Sequence, residues 1–335
     1  MCRRAALLAP RRRATFRQAL LAPRARISFL RFGQAPTAGA ARRRSVPRPA
    51  LQRAERLRGT VQNARVKRPL VTLGVLGLAA AGWGQFEAGW VRLRTLEVRL
   101  PGLPSELEGL RIAHLSDFHL GFPSRGERAV HRAVRWTAAR KPDLTLITGD
   151  LLSRPSAEAR LRGLLQLLPS SYAVLGNHDF AISRDPFSKP SALADLDSTT
   201  LLEDDARTVE LRGRRVQVVG IDPRSYRRGT ARPDQLADPD ADLRILLCHY
   251  PSVIDKLPAG VFDLVLAGHL HGGQVCIPYG RGKLRLSHLR WTYAEGLYRR
   301  PGGVLHVSTG LGTTFVPFRL FARPEATELV LQSGS

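Results

Sequence analysis

The chain has 335 residues and a formal net charge of +24, but the charge is unevenly placed. Residues 1–68 hold 18 Arg and one Lys against the single acid Glu55, which leaves only +6 for the rest. Three scattered cysteines, Cys2, Cys248 and Cys276, exclude a disulfide framework or a zinc ribbon, and the length allows a leader followed by one large domain.

A basic arm can neutralise nucleic-acid phosphates or anionic lipid head groups. Here the only aromatics are Phe16, Phe29 and Phe32 and no periodicity is visible. Residues 1–68 are therefore expected to be a disordered leader, and nucleic acid is not the expected partner. The segment Arg11 to Phe16 weakly resembles a twin-arginine export signal, but Arg17, Arg24 and Arg26 interrupt the apolar run such a signal needs.

Leu70 to Phe86 follows, 17 residues without a charge, flanked by Arg65, Lys67 and Arg68. Seventeen is the lower limit for a helix that spans a bilayer. Three readings stand: a membrane anchor over 69–91, an export signal cut near Ala79 to Ala81, or a buried N-terminal helix. The anchor is the leading one, because no polar face is visible. Its basic flank would keep the N-terminus inside and place the body outside the cytoplasm, as a single-pass protein of the cell membrane. The stretch ahead of it is long for an anchor, so a native start near Val66 is also expected.

Five short apolar runs come next: Leu110 to Ser116, Leu144 to Thr148, Tyr172 to Leu175, Leu243 to Cys248 and Leu264 to Ala267. Each is followed by a side chain able to bind a divalent metal, namely Asp117, Asp150, Asn177, His249 and His269. Glycine precedes three of them, at Gly149, Gly176 and Gly268, where it permits a tight turn or a close approach. Helical spacing at Val130, Ala133, Val134 and Thr137, and again at Leu161, Leu164, Leu165 and Leu168, separates the first three runs. Strand and helix in alternation predict a parallel α/β sheet, whose ligands gather at the carboxyl ends of its strands.

After Thr199 the segments are shorter and alternate. Arg207 to Leu211, Val216 to Ile221, Tyr293 to Tyr298, Val304 to Val307 and Glu328 to Leu331 are expected to build a second sheet. The predicted domain is residues 93–333, two sheets face to face with outer helices. Asp117-Phe118-His119 and His269-Leu270-His271 each set two ligands one residue apart, which in an extended segment face the same way. Cys248 sits inside an apolar strand, so packing is expected for it, and His114 and His306, which also fall in strands, are expected to be packed or solvated.

With these motifs in order, Asp117-x-His119, Gly149-Asp150, Gly176-Asn177-His178-Asp179, His249 and Gly268-His269-x-His271, the chain resembles the calcineurin-like metallophosphoesterases. Gly272-Gly273-Gln274 and Gly310-Leu311-Gly312 look like their bacterial membrane-associated branch. The resemblance covers roughly residues 105–330. It implies a four-layer α/β/β/α sandwich carrying an N-terminal transmembrane or signal-anchor segment. It also implies two divalent metals, Mn, Fe or Zn. Asp117, His119 and His271 would hold one, Asn177, His249 and His269 the other, and Asp150 would bridge them.

The implied activity is hydrolysis of a phosphodiester or pyrophosphate bond by a hydroxide held between the metals. His178 would face the substrate, and Asp179 would either orient it or cap the turn. Many relatives place a second acid three residues after the Gly-Asp pair, where this chain has Ser153. The basic-aromatic loop Arg224 to Arg228, with Arg224 and Tyr226, is a further place to grip phosphate. Some relatives cleave the pyrophosphate of UDP-2,3-diacylglucosamine, so a lipid-linked phosphate is an alternative substrate. A non-catalytic membrane scaffold with a nucleic-acid-binding arm is the alternative from another class, and the complete set of seven ligands argues against it.

Overall fold

The structure, a computed structural model, describes residues 71–287 and 292–334, and the basic leader lies outside the described residues. Residues 71–88 are helical (α1), and the side chains from Val71 to Trp83 are exposed. That exposure removes the buried-helix reading of this segment. No helix among the described residues is long and apolar enough to cross a membrane.

The strands follow in chain order: β1 (Arg92–Pro101), β2 (Arg111–Leu115), β3 (Leu144–Thr148), β4 (Ser171–Val174), β5 (Thr199–Leu201), β6 (Asp205–Leu211) and β7 (Arg214–Ile221). Beyond them come β8 (Leu243–Cys248), β9 (Leu264–Ala267), β10 (Cys276–Tyr279), β11 (Gly282–Arg285), β12 (Gly296–Arg300), β13 (Gly303–Val307) and β14 (Glu325–Gly334). They form one six-stranded sheet in the order β1-β14-β2-β3-β4-β5, a second in the order β12-β13-β9-β8-β7-β6, and the separate hairpin β10-β11.

Parallel pairing joins β2, β3 and β4 in the first sheet and β7, β8 and β9 in the second. All five residues of β3 are buried, as expected of a strand covered on both faces. The two sheets close on a shared core in which Ile112, Leu146 and Val174 meet Val218, Ile245 and Leu266. Outside the first sheet lie α2 (Gly126–Arg140) and α3 (Glu158–Leu165). The stripe Ala129, Val130, Ala133, Val134 and Thr137 turns α2 inward, and the helix stops at Lys141, whose φ of 49° precedes Pro142.

The outer cover of the second sheet is thinner. It is made of α4 (Pro223–Arg228), α5 (Pro233–Leu236) and a 3₁₀ helix at Pro251–Lys256, with Tyr250, Val253 and Ile254 packed on Leu246 and Val265. Two sequence expectations change. The final strand belongs to the first sheet, where β14 pairs in parallel with β1 and antiparallel with β2. Alternation marked it as a strand, but non-local pairing chose its neighbours. The segment Arg224 to Arg228 is helical rather than a loop, because the Asp222 carboxylate accepts the Arg224 N–H and Pro223 occupies the first turn.

Candidate metal centre

The seven side chains singled out in the sequence come from the carboxyl ends of β2, β3, β4, β8 and β9. Two groups result: Asp117, His119, Asp150 and His271, and Asp150, His249 and His269, the ligand atoms within each lying within 4.8 Å of one another. Asn177 joins the second group, its Oδ1 being 3.0 Å from His249 Nε2. Asp150 is common to both.

The local backbone differs from the extended geometry expected of the ligand pairs. Asp117, His119, His269 and His271 all have positive φ, from 46° to 77°. Each pair therefore sits on a tight turn after its strand has ended, with the intervening Phe118 and Leu270 fully buried. The turns brace one another: Asp117 N–H donates to Gly149 O, His119 N–H to Asp150 O, and His178 N–H to Asp150 Oδ1. Gly176 is required here, because a Cβ would stand 2.1 Å from Asp150 Oδ1 and 2.4 Å from Asp150 N.

A second ring of contacts orients the imidazoles. His249 Nδ1 lies 2.8 Å from the Thr148 carbonyl, which fixes a proton on Nδ1 and turns Nε2 toward Asp150. His119 Nδ1 is 3.2 Å from Ser153 Oγ, so the serine that stands in place of an acid supports this ring. The buried Arg319 donates to His271 Nδ1 and to the carbonyls of Gly310 and Gly312. His271 Nε2 then faces Asp117 Oδ1 at 3.6 Å.

Burial drives the electrostatics. It pushes His119 and His271 well below the usual histidine range, so both rings are neutral. Asp117 is pushed up to about 6 by the same cause. Burial also acts to raise Asp150, but His249, His178 and His119 outweigh it and hold this carboxyl well below its usual range. His249 is raised to about 9, since the Asp150 and Asp117 carboxylates overcome its burial. A divalent cation fits this cluster: His119 Nε2 and Asp150 Oδ2 are buried without a hydrogen-bond partner. The mixed oxygen and nitrogen donors suit Mn, Fe or Zn better than Ca.

Asp179 accepts hydrogen bonds from the N–H groups of Gly176, Leu151 and Leu152, and burial raises it to about 7. Its carboxyl thus ties two ligand turns together and is not directed at His178. Beside His178 stands a residue that no sequence motif marked: Asp185 Oδ2 lies 3.8 Å from His178 Nδ1 and accepts the Phe315 N–H. Above the cluster opens a cavity of about 560 Å³, lined by His178, His269, His271, Arg184, Phe315 and Phe318 among others. Arg184 is exposed and forms no ion pair among the described residues.

Arg224 and Tyr226 do not line this cavity. The Arg224 guanidinium is held by Asp222 and Glu203 and lies over the Phe180 ring, while Tyr226 stacks on Tyr250, which in turn meets His249 and His269 edge-on. Cys248 is buried, and its thiol is pushed up to about 12 by that burial. His114 and His306 are buried against each other.

Residues 110–273 match the calcineurin-like phosphoesterase family. An uncharacterized metallophosphoesterase of Helicobacter pylori is 30% identical over 272 residues, 76% of this chain and 68% of that protein. The uncharacterized metallophosphoesterase YkoQ of Bacillus subtilis is 29% identical over 245 residues, 71% of this chain and 89% of its own length. A Bos taurus relative called transmembrane protein with metallophosphoesterase domain is 28% identical over 260 residues, 72% of this chain and 57% of that protein. The chain belongs to the calcineurin-like phosphoesterase family. It is a phosphoester hydrolase with a His/Asp cluster for two divalent metal ions.

Proposed function

We propose that this cluster hydrolyses a phosphodiester or pyrophosphate bond in a substrate whose phosphoryl group enters the 560 Å³ cavity. The observation that carries this reading is the pair of donor groups sharing Asp150 beneath that cavity. Asp117, His119 and His271 would hold one ion, and Asn177, His249 and His269 the other, with Asp150 between them. Bound there, two divalent ions supply positive charge against the phosphoryl oxygens and acidify a water.

The chain's own groups do the rest. Water oxygen bonds to phosphorus while the bond from phosphorus to the leaving oxygen breaks, and His178 gives that oxygen its proton. Asp185, on the Nδ1 side of the ring, leaves Nε2 for the substrate. Arg184 on the cavity wall meets the charge of the phosphoryl group.

The membrane enters the same proposal. Residues 71–83 are apolar and exposed and follow a basic flank, which supports an anchor that keeps the catalytic body outside the cytoplasm and favours a lipid-linked phosphoester. Metal analysis with bis-p-nitrophenyl phosphate, p-nitrophenyl phosphate and nucleotide-sugar pyrophosphates tests the chemistry. His178→Ala should lower turnover with bound metal unchanged; loss of metal would remove the role given to His178. No hydrolysis by the fully loaded protein would favour a non-catalytic scaffold.

A further inference from the structure

The hairpin β10-β11 is built inside out. Register pairs Ile277 with Leu284 and Tyr279 with Gly282, so Ile277, Tyr279, Leu284 and the following Leu286 share one face. That face is the exposed one: Tyr279 is 65% exposed and Ile277 50%. On the opposite face Cys276 is buried, and Lys283 and Arg285 are paired with Glu295. A two-stranded ribbon in water turns its apolar side to the core, so a large apolar face turned outward marks a surface that something covers.

Two neighbouring elements carry the same signature. The segment 314–321 presents Phe315 and Phe321, each about half exposed. It is tied to the hairpin, since Cys276 N–H donates to Leu320 O and Leu320 N–H to Gln274 O. It is tied to α1 as well: Arg319 N–H donates to Gly84 O, and the Glu87 carboxylate accepts the N–H groups of Phe321 and Ala322. The hairpin, this segment and the apolar helix are therefore one connected surface. It surrounds the cavity, because Val275, Ser287, Phe315 and Phe318 all line it.

We infer that this surface docks on a lipid bilayer and that the active-site cavity opens onto the lipid head groups. A bilayer fits better than a protein partner for three reasons. From Val71 to Gly82 the helix has no polar face, a pattern of burial in a core or in lipid, and it is not in the core. Trp83, Phe86 and Trp90 cluster at the end of α1 beside the buried Glu87, as aromatic side chains do at the edge of a membrane. Arg65, Lys67 and Arg68 lead directly into α1 and complement anionic head groups. The inference rests on the hydrolase reading for what enters the cavity, a phosphoester with an apolar tail, but not for where the cavity opens.

The test uses the full chain carrying Cys2→Ser, with an environment-sensitive dye on Tyr279→Cys. Glu108→Cys, at the amino end of the strands, serves as the control. Each is mixed with phosphatidylcholine vesicles containing phosphatidylglycerol and lipids doxyl-labelled on the upper acyl chain. The dye at 279 should lose emission to the doxyl lipids while the dye at 108 does not. Equal emission at the two positions, or failure of the chain to float with the vesicles, overturns the inference and leaves a protein partner as the cover. Turnover of soluble bis-p-nitrophenyl phosphate by the same samples reports the hydrolase reading separately.

Discussion

The pair His114 and His306, buried where the two sheets meet, makes stability depend on pH. Their Nδ1 atoms are 2.7 Å apart, and His114 Nε2 is 2.9 Å from Thr148 Oγ1. Burial pushes His306 down to about 3, with Arg94 adding to it, and pushes His114 down as well, assisted by His306. An unfolded histidine takes its proton near 6.5, whereas folded His306 refuses one until about 3. Stability from this group is therefore complete above about 6.5 and is lost as pH falls toward 3. Between pH 7 and pH 5 the loss spans roughly 1.5 pH units, or about 2 kcal/mol, which lowers Tm by about 4–8 °C in a domain of this size. His306→Gln keeps a hydrogen-bonding partner for His114 but does not titrate. Thermal unfolding at pH 7 and pH 5 in one chelating buffer should show a smaller fall for the variant, by about that margin. Parallel falls in variant and parent would refute the argument.

Three other substitutions probe the site. Gly176→Ala drives a methyl into Asp150 and should weaken metal binding about 10- to 100-fold by titration calorimetry; unchanged affinity would show that the two turns can part. Asp185→Asn keeps an acceptor for the Phe315 N–H but removes the charge beside His178. It should slow alkyl phosphoesters more than p-nitrophenyl esters, whose leaving group needs no proton, with metal content unchanged. Phe118→Ala empties a fully buried site between two ligands and should cost about 3–5 kcal/mol in urea unfolding.

Much of the centre was legible in the chain. Leu144–Thr148, Leu243–Cys248 and Leu264–Ala267 are strands with the boundaries that the apolar runs predicted. Strands of a covered sheet are apolar on both faces and end abruptly at their glycine or ligand, so the sequence marks them twice. The seven ligand candidates were legible for the same reason: five lie immediately beyond such a run or one residue further, and His119 and His271 follow two residues after Asp117 and His269. The role of Asp179 is not legible in the chain, because whether a carboxylate caps a turn or faces a ring depends on which N–H groups fold against it.

Tertiary structure decided what depends on contacts between distant segments. Asp185 lies in no strand and no motif, and its place beside His178 comes from the packing of the 183–187 segment against Phe315. The sheet joined by β14 was set by hydrogen bonds to strands more than 200 residues earlier. The hairpin β10-β11 alternates apolar and polar residues like any half-buried ribbon, and the period alone does not say which face turns outward. The residues and their order determined which groups are able to bind metal and where strands end, because those are local properties of short segments. Only the folded chain determined which carboxylate serves which histidine and which apolar face is left to meet a partner, because those depend on non-local packing.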